Sequence, residues 1–373
     1  MKVTHKFVVA VVVAVGLIPW ATTAQAEPSF LSKQYTRCTS CHISPTGGGL
    51  LSSYGRSLSA RELSMTSSAP ADPNKPGKEE QFLWGSLGDA LGPVQLGIEF
   101  RPSHLRTSFA GFTDSRNILM TADVIGAVQR GGWTVYGEAG RDPVNEELKS
   151  YEHWVGYQAK GGFGVRAGRF FPAYGVRFAD HTSFNREYLG FDKYDQVYGV
   201  EVSRTTDKAL VQVTLAPGLA DSYGDGKTEH GFNAAGRVQF DLGPSTALVA
   251  SGIFRDGTQL EPKNGSAGLA FGFSPTKRVS NWTQGDIRHN TLDGSSFVFI
   301  NETAFEATRG LWLKLSPQYR GESGPQPQVM RWALSAMLLP RTHFGVETSY
   351  YRDKPKGSDD AIHVWLLQFH AYL

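Results

Sequence analysis

Residues 330–338 read Met-Arg-Trp-Ala-Leu-Ser-Ala-Met-Leu. Met330, Trp332, Leu334, Ala336 and Leu338 alternate with Arg331, Ala333, Ser335 and Met337. Successive side chains of a strand point to opposite faces, so this stretch folded as a strand has one apolar face and one mixed face. The same period recurs upstream. Phe232, Ala234, Gly236, Val238 and Phe240 alternate with Asn233, Ala235, Arg237, Gln239 and Asp241. Trp133, Val135, Gly137 and Ala139 alternate with Thr134, Tyr136, Glu138 and Gly140. From about residue 93 onward, segments of roughly ten residues follow one another between turn signals, with aromatics near their ends. That is the pattern of an outer-membrane barrel, apolar toward lipid and polar toward the lumen.

A soluble β-sandwich also alternates. Three features favour the barrel. Short turns are expected at 129–132, 160–162, 205–208, 242–245 and 308–310. They interleave with longer loops near 104–115, 142–149, 171–193, 217–228 and 256–263, which gives one short and one long side. Segmentation gives about sixteen strands, an even number that returns both barrel termini to one side. The chain also stops on a strand, with Trp365, Leu367, Phe369, Ala371 and Leu373 at every second position. Outer-membrane proteins usually end on Phe or Trp, and Leu373 departs from that. The third long connection, 172–193, carries Arg177, Asp180, His181, Arg186, Glu187 and Asp192. By resemblance to porin-like barrels, whose third external loop often folds inward and narrows the pore, these charges would set selectivity as charged rings in a constriction do; the alternative is a cap on the surface.

Composition agrees. Glycine is 42 of 373 residues, aromatics are 12% and charged residues 19%. Glycine and aromatic enrichment without helical apolar runs points to many short strands. A net charge of +2 gives no reason to expect nucleic acid. Lys2 and Lys6, the apolar run 7–20 and Ala24-Gln25-Ala26 make a secretory signal peptide over 1–26. The run is shorter than the roughly 20 residues of a spanning helix.

Both cysteines of the chain sit in Cys38-Thr39-Ser40-Cys41-His42. C-x-x-C-H is the attachment pattern of one covalent c-type haem. Each thiol adds to one vinyl group, and the adjacent His42 is the proximal iron ligand. The competing readings are a zinc half-site, which needs further ligands, and a redox disulfide, which needs a βαβ context. Neither companion feature is present in the sequence. Pro45-Thr46-Gly47-Gly48-Gly49 lets backbone pass close to a flat ligand, with Leu50, Leu51 and Tyr54 available to cover it. Arg56 is read either as a propionate donor or as a solvated surface arginine. For the distal iron position the candidates are Met65, His181 or an open site. Residues 66–80, TSSAPADPNKPGKEE, cannot build a core and read as linker.

The chain thus divides into a signal peptide (1–26), a haem segment (27–65), a linker (66–92) and a barrel (93–373). The haem segment is too short to bury a core alone, so the haem or the barrel must help hold it. No Gly-rich phosphate loop, G-x-S-x-G or H-E-x-x-H is present. His153, His289 and His363 read as strand residues.

Signal peptide, one C-x-x-C-H and a barrel resemble the fused monohaem cytochrome–porins of iron-oxidising and other electron-exchanging bacteria. The likeness in motif rests on Cys38–His42 and on Tyr54-Gly55-Arg56 a dozen residues on. The Pro-Thr-Gly-Gly-Gly stretch departs from the iron-oxidising members. The resemblance implies an outer-membrane electron carrier, or an extracellular metal oxidoreductase, with its haem segment periplasmic or inside the barrel. It implies a periplasmic cytochrome as partner and an extracellular redox donor or acceptor; barrels of this size are often trimers. One haem does not carry electrons across a bilayer roughly 30 Å thick. The other readings are a diffusion porin whose haem segment is a plug, sensor or docking element, and, more weakly, a peroxidase-like enzyme.

Overall fold

The computed structural model describes residues 28–66, 77–78, 81–82, 93–142, 146–180, 182–189, 195–217, 231–257, 263–292, 294–322 and 328–372. The signal peptide and most of the linker lie outside the described residues.

Sixteen antiparallel strands close into a barrel. In chain order they are β1 Val94–Phe109, β2 Phe112–Arg130, β3 Trp133–Arg141, β4 Leu148–Gln158 and β5 Phe163–Phe170. Next come β6 Val197–Thr205, β7 Ala209–Ala216, β8 Asn233–Gly243, β9 Thr246–Arg255 and β10 Asn264–Thr276. The rest are β11 Val279–Asn290, β12 Gly294–Thr308, β13 Leu311–Glu322, β14 Val329–Arg341, β15 Phe344–Pro355 and β16 Ile362–Tyr372. β16 pairs with β1, Phe100 facing Ala371 and Arg106 facing Trp365, so no edge strand remains.

The alternation read from the sequence sorts side chains as expected. Trp332 and Leu334 on β14, and Leu313 and Leu315 on β13, point outward and are exposed. Their neighbours Arg331, Ala333, Trp312 and Lys314 point inward and are buried. An apolar outside over a polar inside inverts a soluble protein and suits a wall between lipid and lumen.

Connections alternate as expected, with one correction. The five turns between 129 and 310 are tight, and the loops at 142–147, 171–196, 217–232 and 256–263 are longer. The expected loop at 104–115 is strand instead. β1 and β2 run on in register to Phe109 opposite Phe112. Ala110 (φ 48°) and Gly111 (φ 84°) then form a two-residue turn with both φ positive, the primed type that matches strand twist. Thr113 to Asn117 are exposed polar residues. The hairpin keeps its ladder after the apolar face has ended, which is why it read as loop.

Residues 28–66 lie inside the closed sheet, near its short-turn end. Arg37, 1% exposed, donates to the carbonyls of Thr206 (2.9 Å) and Asp207 (3.2 Å) and pairs with Asp241 of β8. Lys33 pairs with Glu306 of β12, and Phe30 meets Trp312 edge-on at 5.6 Å. Ser44 donates to Glu152 of β4 (3.2 Å), and Ser59 meets the Tyr372 hydroxyl of β16 (3.1 Å). The amide of Met65 donates to the carbonyl of Leu339 (2.9 Å). A segment of this length has no core of its own; the barrel wall supplies one. Leu31 joins Val249, Ala270, Trp282 and Ile300 of the wall in one apolar cluster.

The connection 171–196 also turns inward and does not cap the surface, the course that one of the two sequence readings expected. Val176 N donates to Gln284 (2.9 Å) and Tyr174 Oη to Asp286 (2.8 Å), both on β11. Phe184 N donates to Gln318 of β13 (2.9 Å), and Arg331 of β14 donates to the Thr182 carbonyl (2.5 Å). A short helix, Phe184–Leu189, lies within it. The loop therefore reaches from β5 to the opposite wall.

Candidate functional site

A single 3-10 turn, Cys38–Ser40, gathers the motif. The amides of Cys41 (3.2 Å) and His42 (3.0 Å) both donate to the Cys38 carbonyl. The two thiols are not joined in a disulfide. Cys41 is buried among Phe30, Tyr35, Leu58, Leu63, Trp312 and Leu339, whereas Cys38 is half-exposed. His42 bridges to Leu51, and Ile43 N donates to Leu50 O (3.0 Å), so the chain doubles back on itself around 44–49.

Gly47, Gly48 and Gly49 all take positive φ (80°, 78° and 58°), a run that side-chain-bearing residues resist. A Cβ on Gly47 would lie 3.0 Å from Cys38 Sγ, and one on Gly48 would lie 2.9 Å from Arg177 Nη1. The glycines thus let the turn press between the motif and the inward loop. Arg177 closes that contact by donating to Gly47 O (2.5 Å), its guanidinium 4.2 Å from the Phe171 ring centroid. Next to Cys38 is a recess with about 590 Å³ of empty space, its mouth included. Phe171, Tyr174, Arg177, Arg237 and Trp282 line it.

Nδ1 of His42 is shut off from solvent and meets no partner in good hydrogen-bond geometry, although the backbone of Gly48 and Gly49 lies beside the ring. Burial, and then the nearby Arg177 cation, push the imidazole down to about 4. It is therefore neutral at pH 7, the form that can ligate a metal.

The other residues singled out in the sequence are placed as follows. Tyr54 is exposed, with its hydroxyl 3.0 Å from that of Tyr35. Arg56 is 7% exposed and donates to Leu96 O of β1 (2.6 Å); it is not a solvated arginine. Leu50 packs into the wall with Ile125, Tyr136, Trp154 and Phe170. Met65 is 45% exposed and rests on Gly310 and Leu339. His181 lies outside the described residues. His153, His289 and His363 are strand residues, each hydrogen-bonded to a neighbouring hydroxyl. Sequence reasoning missed Arg237 as a site residue, although the alternation had already put it on the lumen face.

The residues fit a covalent haem on four observations. Both thiols sit on one turn, the adjacent imidazole is neutral with an unpartnered ring nitrogen, a recess opens beside Cys38, and Gly47 lies against that cysteine with no side chain between. Among the described residues no group of three or more His, Cys, Asp or Glu could hold a metal, so the zinc reading lacks its companions.

No family model matches the chain, and no curated protein matches it in sequence. Solved structures do match in fold. OprB of Pseudomonas putida aligns with a TM-score of 0.63 at 10% identity, covering 78% of this chain and 97% of that one. The anion-selective porin of Comamonas acidovorans aligns at 0.57 and 10% identity, over 75% and 99%. OmpF of Salmonella typhi aligns at 0.58 and 9% identity, over 74% and 97%. The barrel is of the porin type, with the sixteen-strand fold of outer-membrane porins.

Proposed function

We propose that this chain is an outer-membrane electron carrier, a porin-type barrel with one covalent c-type haem inside its lumen. Cys38 and Cys41 hold the haem and His42 ligates its iron; when bound, the haem supplies one-electron redox chemistry. The observation that carries the reading is the C-x-x-C-H turn inside the closed sheet, with a buried, unpartnered imidazole nitrogen on His42 and a recess beside Cys38. The chain's own residues do three things. The wall fixes the segment's orientation, the apolar cluster around Cys41 excludes water from one side, and the inward loop borders the other. A periplasmic cytochrome would exchange electrons at the short-turn end, and an extracellular donor or acceptor at the loop end. Residues 27–65 serve as the haem segment and 66–92 as its tether; Met65 and His181 are the distal ligands to mutate first. A trimer is the proposed assembly, as one solved relative in fold, OmpT of Vibrio cholerae, is described in a trimer form.

The test is a pyridine haemochrome assay and a reduced-minus-oxidised spectrum of the purified full chain, with carbon monoxide titration. A covalent c-type band indifferent to carbon monoxide supports electron transfer. Ready carbon monoxide binding moves the reading toward peroxidase-like chemistry, and absence of covalent haem sinks it. Exchange with extracellular oxidants should also vanish in His42→Ala while the barrel stays folded.

A second reading is favoured by the fold likeness itself, since the matching structures include channels and an anion-selective porin. Here the barrel passes solutes and residues 28–66 are a plug or sensor. Single-channel conductance of the full chain against a chain lacking 27–80 decides. A large conductance already present in the haem-loaded full chain would favour the pore.

A further inference from the structure

We propose that the short-turn rim of the barrel is a docking surface for an electron-carrying protein with an acidic face, an inference that rests on the haem reading above. Seven short turns join the strands in pairs at this end, from β2–β3 round to β14–β15. They follow one another around the rim because the strand order is sequential. All but the turn at 244–245 have an exposed lysine or arginine on them or at their edge. Arg130, Lys160, Lys208, Lys277 and Arg278 have no ion-pair partner among the described residues. Arg309 and Arg341 continue the series on the next two turns. Against these cations stand Asp207, the one carboxylate on the seven turns, and Glu62, the one carboxylate of residues 28–66. The whole chain has a net charge of only +2, so the cations are concentrated here. The loop end is different. There Arg141 pairs with Glu146, Lys263 with Asp256 and Arg255 with Asp195.

A rim of one sign draws in the opposite charge and turns an approaching partner to face it. Lipid headgroups and proteins both present anions, and the mouth favours a protein. Residues 28–66 lie inside the closed sheet and reach the rim itself. Arg309 donates to the carbonyl of Ser64 (2.8 Å), and the Met65 amide to that of Leu339 (2.9 Å). Tyr54, 49% exposed, belongs to this inner segment, so its open face meets water inside the barrel and not lipid. An exposed aromatic encircled by cations has the anatomy of a protein contact, an apolar centre within a charged rim. Headgroups reach only the outer side of the turns. The helix that carries Tyr54 packs through Gly55 on Cys41, so a protein seated in the mouth comes up against the C-x-x-C-H turn.

The probe is reduced flavodoxin, an acidic one-electron carrier, with mitochondrial cytochrome c as the basic counterpart. Association with the full chain in phosphatidylcholine nanodiscs is read by interferometry, and reduction of its haem by anaerobic stopped flow. Flavodoxin should associate at about 0.01 M salt and not at about 1 M, since charges act over about 30 Å in the first and about 3 Å in the second. Cytochrome c should not associate at either. The triple variant Arg130→Glu, Lys160→Glu, Lys277→Glu should slow both association and haem reduction by about tenfold or more. Arg106→Glu, Arg116→Glu, Lys356→Glu makes the same change of charge at three exposed positions of the loop end and should leave both rates near those of the parent. Equal losses in the two triple variants overturn the docking surface. So does association that follows the rim while haem reduction does not. Association abolished by phosphatidylglycerol in the nanodisc assigns the cations to headgroups and overturns it too. No covalent haem in the parent, with association still following the rim charge, instead removes the haem reading and the electron-carrying partner with it. Should the rim triple variant lose heat-modifiable mobility, the three single reversals are read, each expected to slow association about twofold or more. Three unchanged single variants overturn the surface.

Discussion

Gly55 packs directly on the backbone carbonyl of Cys41. A Cβ there would fall on the oxygen and lie 2.9 Å from Cys41 Cα. The contact explains why a glycine stands between Tyr54 and Arg56, since the helix Ser53–Leu58 can approach the C-x-x-C-H turn only without a side chain at that point. Gly55→Ala should force the two apart, a strain of about 1–3 kcal/mol by the usual cost of overpacking. The expected result is a several-fold lower ratio of haem stain to protein in a barrel that still shows folded mobility. Gly126→Ala, whose nearest neighbour is a Leu96 methyl at 3.6 Å, is the comparison and should leave that ratio unchanged.

Arg37 anchors the segment from the other side of the motif. Its guanidinium, fully buried, serves the carbonyls of Thr206 and Asp207 and the partly buried carboxylate of Asp241. Arg37→Met keeps much of the volume but leaves Asp241 with only the Gln239 amide beside it, a loss of about 1–3 kcal/mol for the charged hydrogen bonds removed. The loss falls on docking of 28–66 rather than on the sheet, whose ladder does not use this side chain. Limited proteolysis of the folded protein should cleave within 28–66 at least tenfold faster than in the parent. Equal rates would mean that the segment is held elsewhere.

Much of this architecture was legible in the chain. Strand faces followed from period two because lipid and lumen impose opposite polarity at every second residue, as Trp332 and Arg331 show. Cys38, Cys41 and His42 stood out because C-x-x-C-H is a fixed spacing, and the structure gathers them on one turn; the haem itself is the proposal above. Arg237 was not, because a buried lumen arginine and an exposed strand arginine look alike until the inward loop is folded over it. The role of Arg56 was obscure for a related reason. Its partner is a backbone carbonyl on β1, and no side-chain pattern announces that. The 104–115 hairpin was misread because polar residues on both faces remove the only signal that marks a strand.

That hairpin gives a stability test independent of the proposed haem. Ala110 sits at φ 48° beside Gly111, and a left-handed conformation costs an ordinary L-residue about 1–2 kcal/mol. Ala110→Asn supplies the Asn-Gly pair that such turns favour and should stabilise the barrel by about 1 kcal/mol. Gly111→Ala meets nothing within 4 Å, so any loss there is backbone strain alone, about 1–2 kcal/mol. Urea unfolding midpoints should move in opposite directions for the two variants. A shared direction would mean that the turn is not the one described.

The outward face decides between a barrel in lipid and one in water. Leu334 is 52% exposed in the middle of β14, and its paired neighbour on β15 is Tyr350. In water, Leu334→Arg at such a site would change stability by no more than about 0.5 kcal/mol. Facing hydrocarbon, the same arginine costs about 2–4 kcal/mol near the bilayer midplane and much less toward the interfaces. Arginine placed in turn at Met330, Trp332, Leu334, Ala336 and Leu338 should therefore give a penalty that peaks in mid-strand and falls toward both ends. Reversible folding into vesicles of phosphatidylcholine reads the profile directly. A flat profile would count against lipid on this face, whatever the likeness to porins.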